Sequence, residues 1–315
     1  MFGKILQSKD ASSLMDLARV LMHVEDSLGA LKDQDVVLPL GNTGCGKSTM
    51  LTSLIYGPAA LAVTTQDVAN SGRRAKKIKV ISHKDQRDNF GIGHSDSEIR
   101  TLLPDFAQES TSKITFGDIA GLNDATGPLY GIYNVFILKL VLRYARSLRF
   151  LVPMSLSQIK ESRGTQARKQ LAAVKAMISG DYAQLAASIQ PLITRGLPGD
   201  DEADIDLIRG TLGSQFQNDA DAEIGLTRRS TDVQVRFDND QDAADEDSKR
   251  VDAKVQRIQT FYDTFVAGFE LFDPLDRAIP NADDDQAIKR AELLEKILNM
   301  PRLETSNVTA PLGEE

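Results

Sequence analysis

Residues 41–48 read Gly-Asn-Thr-Gly-Cys-Gly-Lys-Ser, which fits G-x-x-x-x-G-K-[ST] at every position. Glycines at these places let backbone amides curl around an anion, the lysine adds a point charge, and the hydroxyl adds an oxygen for a metal ion. The chemistry that suits this spacing is the binding of a polyphosphate. Lys47 is the expected partner of the β- and γ-phosphates, and Ser48 of magnesium. Expected cofactor contacts run through Gly41, Asn42, Thr43, Gly44, Cys45, Gly46, Lys47, Ser48 and Thr49, with Asn42 and Cys45 serving loop geometry. The bland alternative is a glycine turn that matches by chance. Its flanks argue against that, because the apolar run 35–40 reads as a strand and 47–55 as a helix.

Such a loop needs a carboxylate at the end of a second strand to hold the magnesium shell. The segment Ile114-Thr-Phe-Gly-Asp118 supplies an apolar run ending in one, so Asp118 is the expected metal ligand, with a simple cap after a strand as the competing role. No glutamate follows Asp118, unlike the acidic pair of many ATP-driven motors.

The elements that must position these residues follow from periodicity. Strands are expected at 35–40, 77–82, 113–117, 148–154, 189–194 and 268–272, and helices at 12–31, 47–55, 130–146, 165–187, 201–213, 249–266 and 284–298. Alternating strands and helices imply parallel crossovers and a sheet covered on both faces, hence a doubly wound α/β fold. Residues 1–33 are expected to form an amino-terminal amphipathic helix that packs on the domain or on a second copy. Residues 34–300 form the α/β domain, and 301–315 a flexible tail. Between about 218 and 248 the composition turns to Asp, Ala, Asn and Gln, which reads as an acidic, mobile insertion.

Composition limits the function classes. The chain has 315 residues, 41% of them hydrophobic and 26% charged, ordinary for a globular protein with a substantial core. A formal net charge of -8 argues against a broad nucleic-acid footprint. The basic run Arg73, Arg74, Lys76, Lys77 and Lys79 reads as a solvated strand entrance. A single cysteine forms no internal disulfide, so a reducing, cytoplasmic setting is expected. The apolar stretch 129–145 is interrupted by Lys139 and Arg143 and reads as a buried helix, with no integral membrane segment expected.

The run Asp118-Ile-Ala-Gly121 matches D-x-x-G, and GDIAGLND resembles the DTPGLND-type segments of septin-like and AIG-like GTPases within the translation-factor-related class. That resemblance implies a P-loop, G-domain-like fold that binds GTP or GDP with magnesium, and it implies that the Gly121 amide senses the γ-phosphate. It also implies a switch threonine reaching magnesium and γ-phosphate. Thr101 is the first candidate, Ser97 the second, and a plain loop role competes with both. His94 is a candidate for positioning the attacking water, against a structural hydrogen bond. In G domains a base-specificity element follows the fifth strand. Here Thr194 and Arg195 fit its start, while Leu197 stands where an aspartate belongs.

Three functions compete on these residues. The first is a regulatory GTPase that hydrolyses slowly. The second is a nucleotide-dependent scaffold that forms a homodimer or holds a protein partner through the first helix or the acidic segment. The third is an ATP-binding P-loop protein, suggested by Leu197.

Overall fold

A computed structural model of the chain describes residues 22, 24–25, 28–42, 44–70, 73–82, 104–119, 128–156, 159, 164–177, 182–194, 202–235, 241–272 and 282–305. Its strands are β1 (Asp35–Pro39), β2 (Leu61–Asn70), β3 (Arg73–Ser82), β4 (Asp105–Gln108), β5 (Thr115–Asp118), β6 (Ser147–Ser155), β7 (Ile189–Thr194), β8 (Glu270–Leu271) and β9 (Leu303–Glu304). Its helices are α1 (Lys47–Tyr56), α2 (Pro128–Tyr144), α3 (Thr165–Met177), α4 (Tyr182–Ala187), α5 (Glu202–Val235), α6 (Gln241–Ala267) and α7 (Ala282–Asn299).

Seven strands form one mixed sheet in the order β4-β5-β1-β6-β7-β8, with β9 pairing β6. The ladders β5·β1, β1·β6, β6·β7 and β7·β8 are parallel, while β4 and β9 run antiparallel to their neighbours. Both faces of the sheet are covered, which is why its strands are apolar almost continuously. Val36, Leu38 and Leu40 join one buried cluster with side chains of α2 to α6, whereas Val37 faces a second cluster containing α1 and α7. The alternation follows from the two-residue period of a strand. The sheet is thus wound on both sides, as the alternation of strands and helices predicts.

The chain leaves β1 through α1 and returns to β5 on one side of it, then crosses through α2 to β6 on the other. The carboxyl end of β1 is therefore the point at which strand order reverses, the crevice where open α/β sheets receive ligands.

The structure departs from the sequence expectations in four places. First, the stretch expected to be a mobile acidic insertion is helical over 218–235 in α5 and from 241 onward in α6. A helix needs only one apolar stripe, and Phe216, Ala220, Phe261 and Phe265 bury it. The acidic side chains are held by ion pairs Arg168–Asp219 and Lys175–Glu223 to α3. Second, the strand expected at 77–82 extends from Arg73 and pairs with β2 in a separate two-stranded antiparallel sheet. Third, β4 supplies an edge strand of four residues, DFAQ, too short for periodicity to reveal. Fourth, the tail stays attached through Glu304. Leu303 is buried, Arg302 lies 2.7 Å from the Asp35 carboxylate, and β9 pairs with the start of β6.

Of the expected amino-terminal helix, residues 1–21 lie outside the described residues, and the described part before β1 meets the domain. Val24, Leu28 and Leu31 are buried in the larger cluster, and Glu25 Oε1 accepts hydrogen bonds from Arg143 at 3.1 Å and the Tyr144 hydroxyl at 3.0 Å, both near the end of α2. No helix among the described residues is long and apolar enough to cross a membrane.

Candidate functional site

The loop from Gly41 to Gly46 lies at the reversal point, between the end of β1 and the start of α1. Gly44 and Gly46 have φ of 82° and 90°, a left-handed conformation that costs a residue with a Cβ about 1 kcal/mol or more. At Gly41 the constraint is space. A Cβ there would lie 2.7 Å from Cys45 Sγ and 3.0 Å from Pro153 O.

Gly46 caps α1 without a side-chain hydrogen bond. The first turn of a helix carries backbone N–H groups with no partner inside the helix, and these add positive potential at its start. An anion is the natural partner for such an end. Lys47, the first residue of α1, folds back over the loop, its Nζ donating to Gly41 O and Asn42 O at 3.0 Å each. Those carbonyls hold the ammonium beside the helix start, so lysine charge and helix potential fall in one place.

Ser48 Oγ donates to Asp118 Oδ2 at 2.6 Å. Asp118 ends β5 and is fully buried. The parallel register of β1 and β5 carries this contact across 70 residues of chain. It leaves a hydroxyl and a carboxylate side by side, oxygen donors of the kind magnesium takes. Thr52 Oγ1 donates to Ser48 O at 2.8 Å, which steadies the first turns of α1.

A third strand reaches the loop. Thr194, the last residue of β7, donates through Oγ1 to Cys45 O at 2.5 Å. Thr194 stands where a base-specificity element starts, and its hydroxyl bonds the loop backbone. Thr49 and Cys45 are buried.

Gly41, Asn42, Gly44, Cys45, Gly46, Lys47, Ser48, Asp118 and Thr194 are therefore gathered at one end of the sheet. Thr43, His94, Thr101, Gly121 and Arg195 lie outside the described residues. One contributor escaped the sequence reading. Gln170 of α3 is buried and donates through Nε2 to Leu40 O at 3.1 Å and Pro153 O at 2.9 Å, directly under Gly41. A glutamine inside a helix carries no sequence signal for such a role. The proline within an apolar strand does, because it removes a ladder donor.

The helix behind the loop is braced at its far end. Arg290 of α7 donates to the last carbonyls of α1, through Nε to Ser53 O at 3.2 Å and Leu54 O at 2.9 Å, and through a terminal nitrogen to Ile55 O at 3.4 Å. The same guanidinium meets Glu109 Oε1 at 3.1 Å. Burial pushes the Glu109 carboxyl up, but bonds from Ser112 and Thr111 and from Arg290 outweigh it and hold it below its usual range.

No known family model matches the chain, and no curated protein shows significant similarity to it.

Proposed function

We propose that the chain is a magnesium-dependent, G-domain-like P-loop protein that binds GTP and GDP and hydrolyses GTP slowly. One observation carries the reading. Ser48 and Asp118, picked out by two separate motifs, lie 2.6 Å apart at the reversal point of the sheet. A chance glycine turn gives no reason for a buried carboxylate to end the neighbouring strand within hydrogen-bond reach of its serine.

On this reading the loop amides and the start of α1 would bind the β-phosphate, and Lys47, now held on Gly41 O and Asn42 O, would supply its charge to the β- and γ-phosphates. Ser48 and Asp118 would hold magnesium, which would supply positive charge against the phosphate oxygens. Asp118 begins D-x-x-G, so occupancy of the γ-phosphate position is read by the segment that follows it and leads into α2. The edge strand β4, antiparallel to β5, and the position of β5 directly beside β1 suit this reading, because the metal-holding strand adjoins the phosphate loop. Gly121, Thr101 and His94 keep the roles that the resemblance implies, as γ-phosphate sensor, magnesium-reaching switch residue and water-positioning residue. Guanine preference rests on the resemblance and on the place of Arg195 after β7, and Leu197, where an aspartate belongs, keeps ATP as the alternative nucleotide.

The test is titration of the full chain with GTP, GDP and ATP in magnesium, repeated with Lys47→Ala. Selective guanine-nucleotide binding that the variant loses is the expected result. Equal or tighter binding of ATP replaces the guanine reading with an adenine one, and absence of binding to all three overturns the nucleotide reading.

A further inference from the structure

Prolines are rare in central strands because they cannot donate to the ladder, yet β6, flanked by β1 and β7, contains Pro153. Leu40 N donates to Leu151 O, and Phe150 N to Ser188 O, each at 2.8 Å. Odd-numbered residues of this part of β6 therefore face β1, and even-numbered ones face β7. In a parallel ladder a carbonyl on one strand takes its bond from the N–H two residues beyond its neighbour's previous contact. For Leu40 O that donor belongs to residue 153, where proline has none. A buried carbonyl left without a donor costs about 1–3 kcal/mol. Gln170 supplies the donor from α3, and its amide also bonds Pro153 O.

This replacement falls where the chain leaves β1. Leu40 is the residue before Gly41, and the proline is what Gly41 approaches, with Pro153 O at 3.0 Å and Pro153 Cγ at 3.2 Å from a Cβ built there. We infer that Gln170 is a positioning residue for the phosphate loop: its carboxamide replaces the ladder bond that Pro153 removes and fixes the point at which Gly41 departs from the sheet. The inference rests on the nucleotide reading above, since it says what holds that loop in its binding form.

The same device recurs away from the loop. Ile193 O accepts from Phe272 N at 2.9 Å, so Pro191, two residues earlier, also faces β8 and fails to donate to Gly268 O. Gln190 Nε2 makes that bond at 2.6 Å and another to Pro191 O at 3.0 Å. None of these partners belongs to the loop. Gln190 is thus an internal control, with the same chemistry and the same number of bonds but no link to Gly41.

The experiment compares full-length wild type, Gln170→Met, Gln190→Met and Gln170→Met/Pro153→Ala. Each is titrated with magnesium GTP, and with magnesium ATP, below its melting midpoint. Both single glutamine variants are expected to melt earlier. Only Gln170→Met is expected to bind more weakly, by roughly tenfold or more, the scale on which partners that orient ligating groups act. Pro153→Ala restores a backbone donor for Leu40 O and is expected to recover most of that loss. Unchanged binding by Gln170→Met, an equal loss in Gln190→Met, or no recovery with Pro153→Ala overturns the inference. If Gln170→Met alone does not fold, recovery of a folded, nucleotide-binding chain by Pro153→Ala supports it, and failure to recover overturns it. Wild type that binds neither nucleotide overturns the nucleotide reading and this inference together, whereas tight wild-type binding matched by Gln170→Met removes the inference alone.

Discussion

Arg290 and Glu109 join the last helix to the turn between β4 and β5, 3.1 Å apart and largely out of water, with the Glu109 side chain only 2% exposed. The same arginine caps the carboxyl end of α1, the helix that begins at the glycine loop 41–46. Arg149 of β6 in turn donates to Leu298 O and Met300 O at the end of α7. The half-buried Arg290 and the buried Arg149 thus tie α1 to α7 and α7 to the central sheet.

Removing one partner of a buried pair leaves the other uncompensated, so Arg290→Met is expected to cost about 3 kcal/mol of stability. Glu109→Gln keeps two of the contacts and is expected to cost less. Urea unfolding of both variants and of the double variant checks this. Additive losses would show that the two residues are not coupled.

The Glu109 carboxyl is held below its usual value of about 4.5. A group whose folded pKa is depressed stabilises the protein above its unfolded pKa, and that contribution disappears as pH falls through the folded value. Asp35 behaves likewise. Burial pushes it up, and hydrogen bonds from Ser147 and Arg146, with the charges of Arg302 and Arg146, outweigh this and lower it. Wild-type melting temperature is therefore expected to fall steadily below about pH 4.5, with a shallower fall in Glu109→Gln. Identical slopes for the two proteins between pH 6 and pH 3, taken as a range of about three units around that value, would contradict the assignment.

Gly46 begins α1 with φ of 90°, so Gly46→Ala forces a Cβ into a left-handed turn at a cost of about 1–3 kcal/mol. Gly57, with φ of 88° and open space around it, provides the comparison at the other end of the same helix. Both alanine variants are expected to lose stability in thermal melts, Gly57→Ala the more because its ψ of 166° lies in a region that only glycine adopts, but only Gly46→Ala is expected to lose triphosphate binding. Retained binding by Gly46→Ala would show that the loop need not hold its present shape.

Asp118→Asn keeps the shape of the side chain and removes its charge. The bond from Ser48 Oγ to a carboxylate gives way to a neutral one, expected to cost up to about 2 kcal/mol. On the proposed function, the variant binds nucleotide with little dependence on magnesium, whereas wild type tightens when magnesium is added. Titrations with magnesium and with a chelator separate the two, and equal magnesium dependence would remove Asp118 from the metal site.

Much of the site was legible in the order of the residues. The loop at 41–48 and the carboxylate at 118 are local patterns, because a phosphate loop needs glycines at fixed spacing and a strand end needs only an apolar run to announce it. The main strands and the helix at α1 were readable for the same reason. What escaped depends on partners distant in sequence. The stretch 218–248 reads as too polar to order, and its described part is helical because α3 offers Arg168 and Lys175 and because aromatic rings meet between α5 and α6.

The sequence by itself determined the glycine-lysine-serine pattern at 41–48, its strand and helix flanks, and the alternation of strands and helices, since each is written in short-range spacing. Tertiary structure alone decided that Asp118 meets Ser48, that Thr194 turns to the Cys45 carbonyl, and that Gln170 stands in for the bond missing at Pro153. The physical reason is the sheet order. Parallel neighbours are joined by long crossovers, so the groups that complete a ladder or a site lie tens of residues away, and no local pattern records which strand becomes the neighbour.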